Sequence, residues 1–283
     1  MRPPVPRHMS QTPCPPGPVP KTSLLLTLLL ACAPPPAEPP RSTPPPASAP
    51  APAPPAVAPT PAPTPAPTPA PAPPAPPALP ELAVVDRPIT YDEARKQKTL
   101  TYRQRHQDPA ASDIFIDPRL IVLHYTGGGS LDGTWRYFDR PTVERGRKII
   151  ARAGDLNVSA HFLVDRDGTI VRLMPETWMA RHVVGLNHLA IGVENVGDGE
   201  RYPLTAAQRA ANVALVRHLR ARFPGITHLI GHHEYLAFEG HPYFQEREPD
   251  YRTRKGDPGP AFMRDVRAEL QDLNLAGPPS PPP

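Results

Sequence analysis

Between Ala33 and Pro80 lie 24 of the chain's 48 prolines, set among alanine, serine and threonine. Such a stretch has too little apolar bulk to offset the entropy of folding. Its Ala-Pro-Thr-Pro repeats over 58–69 favour extended polyproline II. At about 3.1 Å per residue the segment reaches up to roughly 150 Å. The fold is therefore confined to the residues after Pro80, and the expected organisation is a leader over 1–32, a tether over 33–81, a domain over 82–275 and a Pro-rich tail over 276–283. A domain that long buries about 70% of its unfolded surface and needs no staples.

Of the net charge of +4, residues 1–81 hold four Lys/Arg and two Glu, so the domain is close to neutral. No basic face with interleaved aromatics is present, which argues against nucleic acid as a partner. Cys14 and Cys32 both precede the domain. The folded part thus lacks disulfides and thiolate ligands, and a metal site there must use histidine and carboxylate.

Lys21 precedes the apolar run Ser23–Ala31. Nine residues are too few to span a bilayer, but a charge, a short apolar run and a small residue make a secretory signal. The run ends Leu29-Leu30-Ala31-Cys32, which resembles the lipobox of bacterial lipoproteins. That resemblance implies acylation of Cys32 and a stable lipid anchor. Ala33 rather than aspartate after it implies the outer membrane, with the domain facing the periplasm. Met1 and Met9 both stand as starts.

Within the domain, Thr90–Arg105 is polar with a helical tendency and is expected to pack on the outside. Leu120–Thr126 reads as a buried strand ending in a triple glycine. Leu131–Phe138 predicts a short helix with Trp135 and Phe138 inward, and Thr142–Arg152 a second. Val158–Val164 and Thr169–Leu173, around Arg166-Asp167-Gly168, read as a hairpin. Ala190–Val196 and Thr227–Gly231 are further strands. Thr205 and Gln208 predict a capping box opening a helix that runs to Phe223, with Ala207, Ala211, Leu215 and Leu219 inward. Ala261–Leu273 predicts a last helix. Hairpins mixed with helices indicate an α/β domain on one mixed sheet flanked by helices.

Arg254–Pro260 reads Arg-Lys-Gly-Asp-Pro-Gly-Pro. Its prolines and glycines stiffen a loop that fixes where Asp257 and Lys255 point. His124 and His232 each end a predicted strand. Two imidazoles and one carboxylate at one end of a sheet make a three-ligand site with an open fourth position, the catalytic pattern for zinc.

Ile121–Thr126, Val158–Val164, Ile191–Glu194, Gly231-His232 and Arg254–Pro260 occur in the order found in type 2 N-acetylmuramoyl-L-alanine amidases. The chain resembles that zinc family, shared with phage lysozyme-type amidases and peptidoglycan recognition proteins, over roughly Arg119–Leu273. The resemblance implies the amidase/peptidoglycan-recognition fold, Zn2+ held by His124, His232 and Asp257, and catalysis by Glu194 and Lys255. It implies hydrolysis of the amide between N-acetylmuramic acid and L-alanine in peptidoglycan or muropeptides, and the chain is expected to be a monomer. Tyr125, His182 and Asn195 are expected to line the substrate cleft, and His161 to be structural. A recycling amidase acting on anhydro-muropeptides and a non-catalytic peptidoglycan-binding lipoprotein are the alternatives.

One departure stands out. The family's short form has about nine residues between the second histidine and the aspartate. Here 24 intervene, from His233 to Gly256, including Tyr235, Phe238, His241, Tyr243, Phe244 and Tyr251. The aromatic segment Glu234–Arg252 reads as a wall or lid over substrate, and it leaves His233 as a rival to His232.

Overall fold

The computed structural model describes residues 82–280. The predicted leader, Cys32 and tether lie outside the described residues, as do the last three residues of the tail. Six strands, β1 (Val85–Asp86), β2 (Leu120–Tyr125), β3 (Phe162–Val164), β4 (Ile170–Arg172), β5 (Ala190–Asn195) and β6 (His228–Gly231), form one mixed sheet in the order β1-β4-β3-β5-β2-β6. β3, β5, β2 and β6 run parallel, whereas β4 is antiparallel to β3. The helices are α1 (Glu93–His106), α2 (Leu131–Asp139), α3 (Lys148–Arg152), α4 (Ala206–Arg222) and α5 (Pro260–Ala268). Among the described residues no helix is long and apolar enough to cross a membrane.

Strand side chains alternate between faces. Ile121, Leu123, Ile191 and Val193 pack with Leu215, Val216 and Leu219 of α4 and with Met263 and Val266 of α5. Leu120, Val122 and Ile230 look the other way, toward Met179, Leu186, Tyr235, Phe238, Tyr251 and Tyr102 of α1. A third cluster joins Phe138 of α2 to Leu163 and Leu173, with Trp135 against it.

The capping box at Thr205 and Gln208 is present, but the inner stripe of α4 differs from expectation. Ala207 is exposed and Ala211 only half-buried, whereas Gln208 and Asn212 are fully buried. Each has partners that only the tertiary fold supplies. Gln208 Nε2 donates to the carbonyls of Val164 (3.1 Å) and Val196 (3.0 Å), and Asn212 Nδ2 donates to Asn195 Oδ1 at 2.6 Å. Asn212→Ala would strand a buried amide oxygen. The expected cost is about 1–3 kcal/mol, measurable as a lower urea midpoint at unchanged slope.

Three other spans come out shorter or more integrated than expected. The helix predicted over 142–152 survives only as α3, because Val143 N donates to Asp155 O and Asn157 N to Pro141 O, which closes a loop around it. The last helix ends at Ala268. Glu269 N bonds Val266 O three residues back, and a 3-10 turn follows over Gln271–Leu273. α1 is no surface appendage, since Arg95, Thr99, Tyr102 and His106 are buried along one side. Arg95 is held by the carbonyls of Thr90, Phe138 and Asp139.

Candidate functional site

Register assembles the site. In the β2–β5 pair His124 lies opposite Glu194, and in the β2–β6 pair Leu123 lies opposite Gly231, so His232 follows beside His124. Three adjacent parallel strands thus deliver Glu194, His124 and His232 to their carboxyl ends, the place where such sheets bind ligands. The loop before α5 brings Asp257 and Lys255 to the same edge, and the Asp257–Pro258 bond is cis. His233 N donates to Asp257 O at 2.9 Å and its Nδ1 lies 3.1 Å from that oxygen, which clamps the loop.

His124 Nδ1 lies 2.9 Å from His232 Nδ1, while Asp257 Oδ2 is 3.0 Å from His232 Nδ1 and 3.3 Å from His124 Nδ1. His232, not His233, turns its ring to this point. The spacing is close to one face of a tetrahedron around an ion with bonds of about 2.0–2.2 Å. Protonation states fit as well. Burial, with His124 beside it, pulls the His232 ring down to about 3, which leaves it neutral. Burial alone would raise Asp257, but His124 and His232, packed against its carboxylate, hold it below the usual carboxylate range. The donor set therefore suits a divalent cation such as zinc.

Behind the cluster, His182 Nε2 lies 3.2 Å from Ala190 O, a carbonyl that can only accept. The His182 Nδ1, 3.0 Å from His124 Nε2, is then the acceptor, so His124 carries its proton on Nε2 and presents a bare Nδ1 to the cluster. Asn187 Oδ1 accepts from the backbone N–H groups of His182 and Val183 and fixes the segment. Gly192 makes room for the ring, because a Cβ there would meet it at 2.7 Å. Such outer partners are worth about 10–100-fold in metal affinity. His182→Leu is expected to weaken zinc binding by that factor, read by competition with a chromophoric chelator. Gly192→Ala should act in the same direction.

His182 lines the cavity, as expected, but both its ring nitrogens are engaged, and it orients His124. Asn195 is corrected. It is fully buried, donates to His124 O at 3.0 Å and pairs with Asn212. Next to Glu194 on a strand, it must face the opposite side of the sheet. Tyr125 does line the cleft, half-buried, with its ring against Gly199. His161 is structural, with its ring nitrogens engaging Trp178 O at 2.8 Å and Gly192 N at 3.0 Å.

A cavity of about 320 Å³ opens on the cluster. Glu194 and Lys255 line it. Burial, reinforced by the Asp257 charge, raises the Glu194 carboxyl well above its usual value, and its Oε2 is buried without a hydrogen-bond partner among the described residues. Burial lowers Lys255, against the pull of Asp257. Tyr137, Arg147, Ile150, Arg181 and Tyr251 complete much of the wall. No sequence motif marks these residues, although Gly192 inside a strand was a signal of close approach.

The aromatic segment is wall, at Tyr251, and buried support rather than lid. Tyr235 and Phe238 are buried in the core beneath the cleft, and Phe244 packs on Gly185, where a Cβ would meet its ring at 2.4 Å. From this segment and its flank, Tyr251 and Thr253 reach the cavity. The Tyr235 hydroxyl donates to Thr253 O at 2.7 Å and ties the segment to the Asp257 loop.

The sequence model of the N-acetylmuramoyl-L-alanine amidases matches residues 115–260. The 1,6-anhydro-N-acetylmuramyl-L-alanine amidase AmpD of Salmonella typhimurium (strain SL1344) is 31% identical over 157 residues, covering 51% of this chain and 76% of that protein. AmpD of Citrobacter freundii is 29% identical over 182 residues, covering 60% and 86%. Among solved structures, the N-acetylmuramoyl-L-alanine amidase LysC from Clostridium intestinale URNW superposes with a TM-score of 0.43 at 22% identity, over 69% of this chain and 100% of that one. With its sequence matched from β2 through β6, the candidate metal cluster and the loop before α5, the chain belongs to the N-acetylmuramoyl-L-alanine amidase family.

Proposed function

We propose that the domain is a zinc-dependent amidase that cleaves the bond between N-acetylmuramic acid and L-alanine in peptidoglycan or its fragments. The observation that carries this reading is the convergence of His124, His232 and Asp257 on one point, beside Glu194 and Lys255 in a single cavity. Bound there, zinc supplies a water with a pKa near 7 and a Lewis acid for the amide carbonyl. Glu194 takes the proton of the attacking water and passes it to the leaving amine of L-alanine. Lys255, fixed by the loop that also carries Asp257, stabilises the oxyanion of the tetrahedral intermediate. His182 and Asn195 hold His124 from its ring and from its backbone.

On the same reading the domain hangs from a lipid anchor at Cys32, at the outer membrane and facing the periplasm, with 33–81 as the tether. The leader motif and the Pro/Ala composition support this. Incubating the purified domain with muropeptides, with and without a chelator, tests the chemistry. Mass spectrometry should find free stem peptides that disappear on chelation. Unchanged muropeptides in the presence of zinc would leave a peptidoglycan-binding module, and chelator-resistant products would remove the metal from the mechanism.

A further inference from the structure

Three cationic side chains line the cavity: Arg147, Arg181 and Lys255. Two have evident work. Lys255 stands beside the candidate metal cluster, with Asp257 two residues away. Arg181 is buried, and its guanidinium is spent on the carbonyls of Gly154, Leu156 and Ile150 and on the Tyr251 hydroxyl. Arg147 is different. It is half-buried in the cavity wall, donates to the Tyr137 hydroxyl at 2.8 Å and lies against that ring, 5.8 Å from its centroid. No carboxylate among the described residues lies within ion-pair distance of it. One bond and one aromatic face hold the guanidinium in place while most of its donors stay free. A planar fork of donors held this way matches a carboxylate.

The substrate class says where such a carboxylate can be. In a muramoyl peptide the lactyl carboxyl is consumed in the scissile amide, and the sugar hydroxyls and N-acetyl group are neutral. Every remaining carboxylate is on the peptide. We infer that Arg147 is a specificity residue that takes a carboxylate of the stem peptide and so directs the peptide along the wall made by α2 and α3. This rests on the amidase reading and adds to it a side of the cleft and a preference: stems with free carboxylates over stems whose carboxyls are amidated. The residue arises from the loop 140–147, which joins α2 to α3, and its Tyr137 support comes from α2.

The experiment uses two synthetic N-acetylmuramoyl tripeptides, one with all carboxyls free and one with all of them amidated, and compares kcat/KM for the wild type, Arg147→Gln and Arg147→Lys. Hydrogen bonds to a charged group predict that the wild type favours the free acid by about 10- to 100-fold. Arg147→Gln should lose that preference, its kcat/KM falling about 10-fold or more further on the free acid than on the amidated substrate. Arg147→Lys should keep part of it, which a purely structural role would not produce. Equal loss on both substrates, or an undiminished preference in Arg147→Gln, would overturn the assignment. A wild type that cleaves both equally overturns it alone, whereas one that cleaves neither removes the amidase reading beneath it.

Discussion

His232→Ala is expected to abolish stoichiometric zinc binding and to lower kcat/KM by about a thousandfold or more, the equivalent of the several kcal/mol a metal gives a transition state. His233→Ala should keep the metal and lose less than about tenfold. The asymmetry follows from the geometry of two adjacent residues. His232 turns Nδ1 toward His124 Nδ1 at 2.9 Å and Asp257 Oδ2 at 3.0 Å. His233 packs its ring on Gly231, where a Cβ would come within 2.7 Å, hydrogen-bonds the Asp257 carbonyl and leaves its Nε2 3.9 Å from Glu234, away from the cluster. Its backbone N–H also bonds that carbonyl at 2.9 Å and survives the substitution. His233→Ala therefore removes one hydrogen bond, about 1 kcal/mol, a weak contact with Glu234 and some packing, but no ligand atom. Metal content of the dialysed variants, with muropeptide turnover alongside, checks the prediction, and the reverse outcome would exchange the two histidines.

Glu194→Gln should separate activity from stability. Turnover is expected to fall by about 10²–10⁴-fold, the usual worth of a positioned acid–base group, with zinc retained. The same substitution should stabilise the metal-free domain. Glu194 Oε2 is buried without a partner among the described residues, and burial with the nearby Asp257 charge raises its carboxyl well above the ordinary 4.5. A carboxyl with a higher pKa folded than unfolded binds its proton more tightly in the folded state. The domain therefore loses stability at this residue as pH rises past about 4.5, and glutamine abolishes the loss. The expected gain near neutral pH is about 1 kcal/mol or more, or about 2–4 °C per kcal/mol in Tm. Thermal melts of both chelated proteins at pH 4 and pH 7.5 should show the gap opening only at the higher pH. A gap that is absent, or equal at both, would place Glu194 in a better-solvated setting than the structure gives it.

What could be read from the residues was local. The strand Leu120–Tyr125 announces itself as an apolar run, and Thr205 with Gln208 satisfies a capping pattern that depends on four residues only. His124, His232 and Asp257 were legible because each sits where a strand ends or a loop is stiffened. Most of the misreadings share a cause, since they turned on partners distant in sequence. Gln208 and Asn212 looked too polar for an inner stripe until Val164, Val196 and Asn195 accepted their hydrogen bonds. Asn195 looked like a cleft residue by adjacency to Glu194, although the alternation of a strand already sent it to the other face. The aromatic residues of 234–252 signalled burial as readily as a lid, and composition does not say which side of a cleft a segment takes. Arg147 left no trace at all, because its meaning depends on which cations in the cavity are already committed.

α1 lies before the matched residues 115–260, and the aromatic segment interrupts the family's usual spacing within them. The two hold each other. His106 Nδ1 meets Glu246 Oε1 at 2.8 Å with both side chains buried, Arg105 bonds Glu248 at 2.7 Å, and Arg247 N donates to His106 O. The His106 ring stacks on Tyr102 and tilts against Tyr251. Neither addition is independently removable. A truncation boundary drawn at residue 115 would bare the Tyr251 side that borders the substrate cavity, and shortening the loop to nine residues would take the Nδ1 partner from a buried histidine. The smallest autonomous unit of this enzyme is consequently larger than its family signature, and the helix outside that signature is one of the supports of the active-site wall.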